Sequence, residues 1–239
     1  MKSEALAGRG LLMSTKEWET RNHVLSSTIN ELIRNHIEAR TFRGLDLGCQ
    51  KGALIDTFVE SLANFEWVGV DPAIEEPYRS SKGAELFPGW AHQLSFPDSH
   101  FDCVVFANVY EHVAPEQRLA SLAEIDRVLA KGGILVGQLP NPYFPIESHS
   151  RLPFMGWLPR RIQLIYWRLT PTPWKHDFYV VTIKDLKRKA ETLGFETVVI
   201  RNFNYPIEVI PHSVRWMARL LTPVMRIVPW SWQFVFRKI

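Results

Sequence analysis

The 239-residue sequence predicts an α/β fold: a sheet of parallel strands with helices on both of its faces. Three observations predict it. Short apolar runs at 42–47, 67–70, 101–107 and 134–138 alternate with stretches of helical periodicity, the pattern of repeated strand–helix–strand units. The runs are apolar nearly throughout rather than at every second residue, as strands covered on both faces are. The first run ends in a glycine turn that leads into a helix, the join at which doubly wound sheets place their ligands. With 46% hydrophobic and 22% charged residues the chain can bury a sizeable core, and its length suits one domain over 1–239 better than two independent ones.

The elements follow in order. Ser14 and Glu17 read as a capping box, and Leu25, Ile29, Leu32, Ile33 and Ile37 at helical spacing predict an N-terminal helix over 15–39. A strand over 42–47 meets the glycine turn 48–52, and a helix over 53–63 follows. The strand at 67–70 stops at Asp71-Pro72, where proline cannot continue the ladder. After the strand at 101–107, Leu119, Leu122, Ile125 and Leu129 mark a helix closed by Gly132-Gly133. The strand at 134–138 is broken by Pro140-Asn141-Pro142. Residues 141–181 then interrupt the alternation with Pro142, Pro145, Pro153, Pro159, Pro171 and Pro173 and a short helix over 158–169. A connection of this length reads as a capping insertion over a binding site. Thr182 caps a helix to Leu193-Gly194, a strand spans 195–201, a second aromatic insertion spans 204–230, and 232–238 is a last strand.

Composition narrows the function. Two cysteines, Cys49 and Cys103, are too few for a disulfide framework and lack metal-ligand spacing; they read as small buried apolar residues in a reducing, cytoplasmic setting. Residues 1–14 lack the apolar run of a secretory signal, and no run of about 18 apolar residues exists to span a bilayer. Charge is divided: residues 1–150 carry 13 Lys and Arg against 20 Asp and Glu, a net −7, while 151–239 carry 15 against 5, a net +10. Six of the nine tryptophans lie in that basic part: Trp157, Trp167, Trp174, Trp216, Trp230 and Trp232. Arginine and tryptophan among bulky aliphatics, on segments too short to span, suit the inner face of a membrane, with the sharpest signal at 212–221; the alternative is a closed cap over the site. The same interleaving with aliphatics disfavours nucleic acid.

The glycine turn, Gly44-Leu45-Asp46-Leu47-Gly48-Cys49-Gln50-Lys51-Gly52, supplies positive-φ positions, close backbone approach and a helix N-terminus. Asp71 stands 25 residues beyond Asp46, at the end of the second strand. A carboxylate there can accept both hydroxyls of a ribose; alone it would read as a helix cap.

These residues resemble the class I S-adenosylmethionine-dependent methyltransferases, in their small-molecule branch. The resemblance rests on Leu45 to Gly52 as the first motif, on 94–102, on Asn108-Val109-Tyr110-Glu111-His112-Val113 after the fourth strand, and on 129–133 with Pro140-Asn141 around the fifth. It implies a seven-stranded sheet whose last strand, 232–238, is antiparallel beside the fifth. It implies that S-adenosylmethionine is held by Asp46, Gly48, Cys49, Gln50 and Gly52 of the turn, Asp71 at the ribose, Trp90 and Ala91 beside the adenine, and Asn108. Two positions depart from the family pattern: Gln50 replaces a glycine, at roughly 1 kcal/mol if its φ is positive, and Trp90 replaces a common aspartate, so that it would stack on the adenine or simply pack. Displacement at a sulfonium methyl needs chiefly alignment and exclusion of water. Glu111 and His112 are the candidate catalytic pair, with His112 as base to an acceptor hydroxyl or the pair merely closing its loop by hydrogen bonds. Asn108 stands where related enzymes that bind a divalent cation have an acid, so no metal is expected. The resulting expectation is methyl transfer, O-methylation foremost, to a small apolar or lipid-linked acceptor. A nicotinamide-dinucleotide oxidoreductase and a non-catalytic membrane-attached binding protein are the alternatives. Oligomeric state is not legible.

Overall fold

The computed structural model describes residues 15–37, 42–62, 64–147, 152–168, 178–209, 212, 215–216, 219, 223 and 227–239; the side chains of 15–18 are outside the description. The capping box at Ser14 and Glu17, and most of the predicted helix over 212–221, therefore lie outside the described residues.

The strands β1 (Phe42–Leu47), β2 (Phe65–Asp71), β3 (Tyr78–Arg79), β4 (Glu85–Pro88), β5 (Phe101–Ala107), β6 (Leu129–Pro140), β7 (Phe195–Phe203) and β8 (Ser231–Lys238) form one sheet in the order β3-β4-β2-β1-β5-β6-β8-β7. β4, β2, β1, β5 and β6 are mutually parallel. β8 runs antiparallel between β6 and β7, with Val136 opposite Val235 and Val235 opposite Val199. The antiparallel last strand therefore lies where the resemblance put it. The sheet exceeds seven strands by the two-residue β3, which pairs antiparallel with β4 at the edge.

Alternating side chains build a core on each face. Along β5, Val104 and Phe106 pack with Leu122 and Ile125 of α3 (Arg118–Val128) and Leu186 and Ala190 of α5 (Ile183–Thr192). Cys103 and Val105 point to the other face, onto Ile29 and Ile33 of α1 (Thr15–His36) and Ile55 and Phe58 of α2 (Ala53–Ser61). Among the described residues, two helices thus cover each face. Cys49 and Cys103 are both buried free thiols, as their reading as small apolar residues requires.

Most elements agree with the sequence reading to within a few residues, but β4 has no counterpart in it and the boundary between α3 and β6 differs. α3 ends at Val128, and Leu129 already pairs with Phe101 in the sheet. Gly132, at φ +80°, and Gly133 lie inside β6, where the register against β5 shifts, and so form a bulge rather than a helix cap. Leu119 is half exposed and does not belong to the buried face of α3. Thr182 does cap α5, its Oγ1 accepting from the Asp185 N–H at 3.3 Å.

The described part of the capping insertion holds a 3-10 turn, Met155–Trp157, and α4 (Arg160–Trp167), around a small core of Met155, Trp167 and Phe178. It docks through backbone contact. The Tyr179 N–H donates to the Glu111 carbonyl at 2.8 Å, and a Cβ on Gly156 would lie 1.7 Å from the Pro142 carbonyl oxygen. The second insertion seats Tyr205 and Val209 against α1 and the sheet, and Trp230 stacks on Phe144 with ring centroids 5.2 Å apart. Among the described residues no helix is long and apolar enough to cross a membrane.

Candidate active site

The chain runs outward from β1 to β2 and β4, then returns to the other side of β1 as β5. Two connections therefore diverge at the carboxyl ends of β1 and β5, leaving a crevice there. The glycine turn lines it. Gly48, at φ +77°, donates its N–H to the Val70 carbonyl at 2.8 Å, and a Cβ there would meet Val109 Cγ2 at 2.4 Å. A side chain at this position would fill the cradle between the turn and the segment after β5. Gly52, at φ +87°, stands at the N-cap of α2. Gln50 adopts φ +50°, the strained conformation expected of the glycine it replaces, with its side chain exposed.

Asp71 ends β2 and is buried. Its Oδ2 accepts from the Gln50 N–H and its Oδ1 from the Ala73 N–H, each at 2.8 Å. The carboxylate thus locks the glycine turn to the loop after β2, and each oxygen keeps a further lone pair. Asp46, one residue before the end of β1, is only 2% exposed, and its Oδ2 has no hydrogen-bond partner. Burial, and then the charge of Asp71, push its pKa up to about 8. Desolvation likewise pushes the Cys49 thiol well above its usual range, so Cys49 is no thiolate nucleophile.

A cleft of about 510 Å³ opens above these strand ends, lined among others by Gly48, Trp90, Ala91, Val109 and His112. Trp90 is 58% exposed at its rim. The wall that carries Trp90 is braced from behind by Arg127, which uses all five of its N–H donors. Two go to Glu124, two to the carbonyls of Leu94 and Phe96, and one to Asp98, all at 2.8–2.9 Å. A second, narrower space lies between the site and the capping insertion. Its walls include Glu111, Asn141, Glu147, Gly156, Phe178 and Tyr179. The 3-10 turn Tyr110–His112 divides the two spaces: His112 faces the cleft, while the buried Glu111 faces the second cavity.

The predicted residues are therefore brought to one end of the sheet but not to one wall. Gly48, Trp90, Ala91 and His112 line the cleft. Asp46, Cys49, Gln50, Gly52 and Asp71 build its floor and the turn beside it. Asn108, at φ +57°, binds Gln138, its Oδ1 accepting from Gln138 Nε2 at 3.1 Å, and so serves the turn after β5. Glu111 and His112, adjacent in sequence, serve different cavities. No group of three or more His, Cys, Asp or Glu side chains that could hold a metal occurs among the described residues. Sequence reasoning missed Glu147 and Tyr179. Both come from the insertion, where no periodicity or motif marks the residues that turn inward.

Fold and site define a class: a doubly wound nucleoside-binding domain with a capped second cavity. Residues 18–200 match the family described as "Methyltransferase domain", and the chain belongs to it. S-adenosylmethionine is the cofactor expected of that family and fold, and the oxidoreductase alternative is set aside. No curated protein matches the chain. Among solved structures it is similar to a SAM-dependent methyltransferase from Archaeoglobus fulgidus, at 20% identity and TM-score 0.57 over 91% of this chain and 94% of that one. A SAM-dependent methyltransferase from Methanosarcina mazei matches at 18% identity and TM-score 0.54, over 87% and 97%. An S-adenosylmethionine-dependent methyltransferase from Mesorhizobium loti matches at 15% identity and TM-score 0.56, over 87% and 96%. At these identities the likeness is one of fold.

Proposed function

We propose that the chain transfers a methyl group from S-adenosylmethionine to a hydroxyl oxygen of a small apolar or lipid-linked acceptor. The carrying observation is the buried carboxyl group of Asp46, whose Oδ2 lacks a hydrogen-bond partner, under a glycine cradle that any side chain would fill. An unpaired buried carboxylate is costly, and a cationic group relieves it. The methionine ammonium of the cofactor is such a group. Gly48, Cys49, Gln50 and Gly52 offer backbone at close range, the free lone pairs of Asp71 accept the ribose hydroxyls, and Trp90 with Ala91 flanks the adenine at the rim. Asn108 holds the adjoining turn in shape.

When bound, the cofactor supplies a methyl group already activated by the positive sulfur. The protein's tasks are then to hold the acceptor in line, to exclude water and to receive one proton. The second space, walled by Phe178, Val180, Val181 and Pro142, would meet an acceptor with apolar side chains. His112 is the base at the boundary of the two spaces, its imidazole nitrogen taking the hydroxyl proton as the oxygen–carbon bond forms. Glu111 shapes the acceptor side.

Titration calorimetry tests the reading. Wild-type protein is expected to bind S-adenosylmethionine and its demethylated product, but not nicotinamide nucleotides. Asp71→Ala should weaken binding by about 2–4 kcal/mol, the loss of two hydrogen bonds to a charged group. Equal binding by wild type and Asp71→Ala would remove the assignment.

A further inference from the structure

We infer that the outer face of the capping insertion, formed by the 3-10 turn Met155–Trp157 and α4, docks on an anionic lipid bilayer. α4 is built inside out for a helix in water. Gln163, 1% exposed, and Trp167, one turn on, face inward, and Gln163 spends its amide on the Leu158 carbonyl at 2.8 Å. Ile162, Leu164 and Ile165 face outward, Ile165 at 62% exposure. The preceding turn adds Phe154 and Trp157, which touch edge to face with ring centroids 6.3 Å apart and are 56% and 62% exposed. Trp157 is not loose: its Nε1–H donates to the Tyr143 carbonyl at 3.0 Å, which fixes the polar edge and leaves the apolar body outside. Phe154 is held at φ +54°, a costly conformation for a bulky residue. Clustered, oriented apolar side chains of this kind mark an interface.

Charge selects the partner. From 148 to 176 the sequence has no Asp or Glu and five basic residues, Arg151, Arg160, Arg161, Arg168 and Lys175. Of these, Arg160, Arg161 and Arg168 stand exposed on or beside α4. An isologous contact with a second copy would bring these exposed arginines against their own copies, and the described residues 152–168 include no Asp or Glu to answer them. Nucleic acid could answer the arginines and stack on Phe154 and Trp157, but it would leave Ile162, Leu164 and Ile165 against a hydrated phosphate backbone. An anionic bilayer satisfies both parts at once: headgroups receive the arginines, and the acyl boundary receives isoleucine, phenylalanine and tryptophan. Through Gly156 the same turn is also a wall of the second cavity, so the surface lies behind the space proposed for the acceptor. The docking itself needs no methyl transfer and stands or falls separately from that reading.

The test is co-sedimentation of the full chain with vesicles of phosphatidylcholine alone and of phosphatidylcholine mixed with phosphatidylglycerol. Wild type is expected to pellet with the anionic vesicles at low salt, and to lose roughly tenfold or more of that affinity when salt is raised to about 0.5 M. The double variant Ile162→Ser, Ile165→Ser should bind anionic vesicles roughly tenfold or more weakly. Arg161→Glu, Arg168→Glu should abolish the preference for them. All four positions are exposed, so both variants should melt with wild type, and calorimetry with S-adenosylmethionine on the same preparations reports the cofactor reading independently. The inference is overturned if wild type stays in the supernatant with anionic vesicles at low salt, if neutral vesicles bind as well, or if the double-serine variant binds like wild type. It is equally overturned if wild type is a dimer that the double-serine substitution makes monomeric, since the face then belongs to a second copy.

Discussion

At the residue scale the site turns on carboxylates in unlike surroundings. Asp71 is satisfied by two backbone N–H groups, whereas Asp46 lies one strand away with an oxygen unpaired and its pKa raised to about 8 from the ordinary 3.8. Between those values the folded protein holds a proton that the unfolded chain has released, so stability falls as pH rises through the window. Asp46→Asn does not titrate. The variant should therefore be more stable than wild type by about 1–4 kcal/mol at pH 8, with the gap closing toward pH 4, while its affinity for S-adenosylmethionine falls about tenfold or more through loss of a charged partner. Thermal melts at several pH values with parallel calorimetry check this; a gap that does not change with pH would contradict the assigned cause. His112 gives the complementary case. If it receives the acceptor proton, His112→Ala should lower turnover by about 10²–10⁴-fold with cofactor affinity near wild type. Unchanged turnover per folded molecule would leave it a structural residue of the turn.

At the scale of elements, the 3-10 turn after β5 and the capping insertion matter most. The turn places Glu111 and His112 on opposite sides, and the insertion is held over it by the Tyr179–Glu111 backbone bond and by close packing at Gly156. Arg160 reinforces the clasp: one N–H donates to the Phe178 carbonyl at 2.8 Å, and its guanidinium lies 4.3 Å from the Tyr179 ring centroid, with Arg118 5.7 Å from the same ring. Gly156→Ala pushes a methyl into a backbone carbonyl that cannot yield as a side-chain tip would. It should cost about 1–3 kcal/mol or lift the cap, raising KM for the acceptor while cofactor affinity holds, because Gly156 does not line the cleft proposed for the cofactor. Limited proteolysis of the insertion and steady-state kinetics separate these outcomes. The glycine pair 132–133 carries a lesson at the same scale. Gly after a helical pattern reads as a cap, but here a sheet bulge claimed it, because Leu129 finds a partner in β5 before the helix can continue.

At the scale of the molecule, the division of charge seen in the sequence acquires a partial location. The acidic part supplies β1 to β6, the cleft and the start of the cap; the basic part supplies the rest of the cap, β7, β8 and the second insertion. One end of the sheet then presents two adjoining spaces, a cleft floored by carboxylates and an apolar cavity roofed by cationic, aromatic segments. That arrangement supports the proposed transfer to an apolar acceptor, since cofactor and acceptor would each meet a surface of its own kind.

The sequence by itself determined the alternation of strands and helices, the antiparallel last strand through its family resemblance, the glycine turn, and the positions of Asp46, Asp71 and His112. Those are legible because they depend on local causes: apolar runs, conformational limits at glycine, and short fixed spacings between motifs. Only the tertiary structure decided that Asp71 is already engaged by Gln50 and Ala73, that Glu111 turns from the cleft to a second cavity, and that Glu147 and Tyr179 join it from an insertion tens of residues away. It also decided which side of α4 is outward. Helical periodicity gives the angles between Gln163 and Ile165, but the surface a helix buries against is set by packing with distant segments, and in this cap that packing buried the glutamine and left the isoleucines outside.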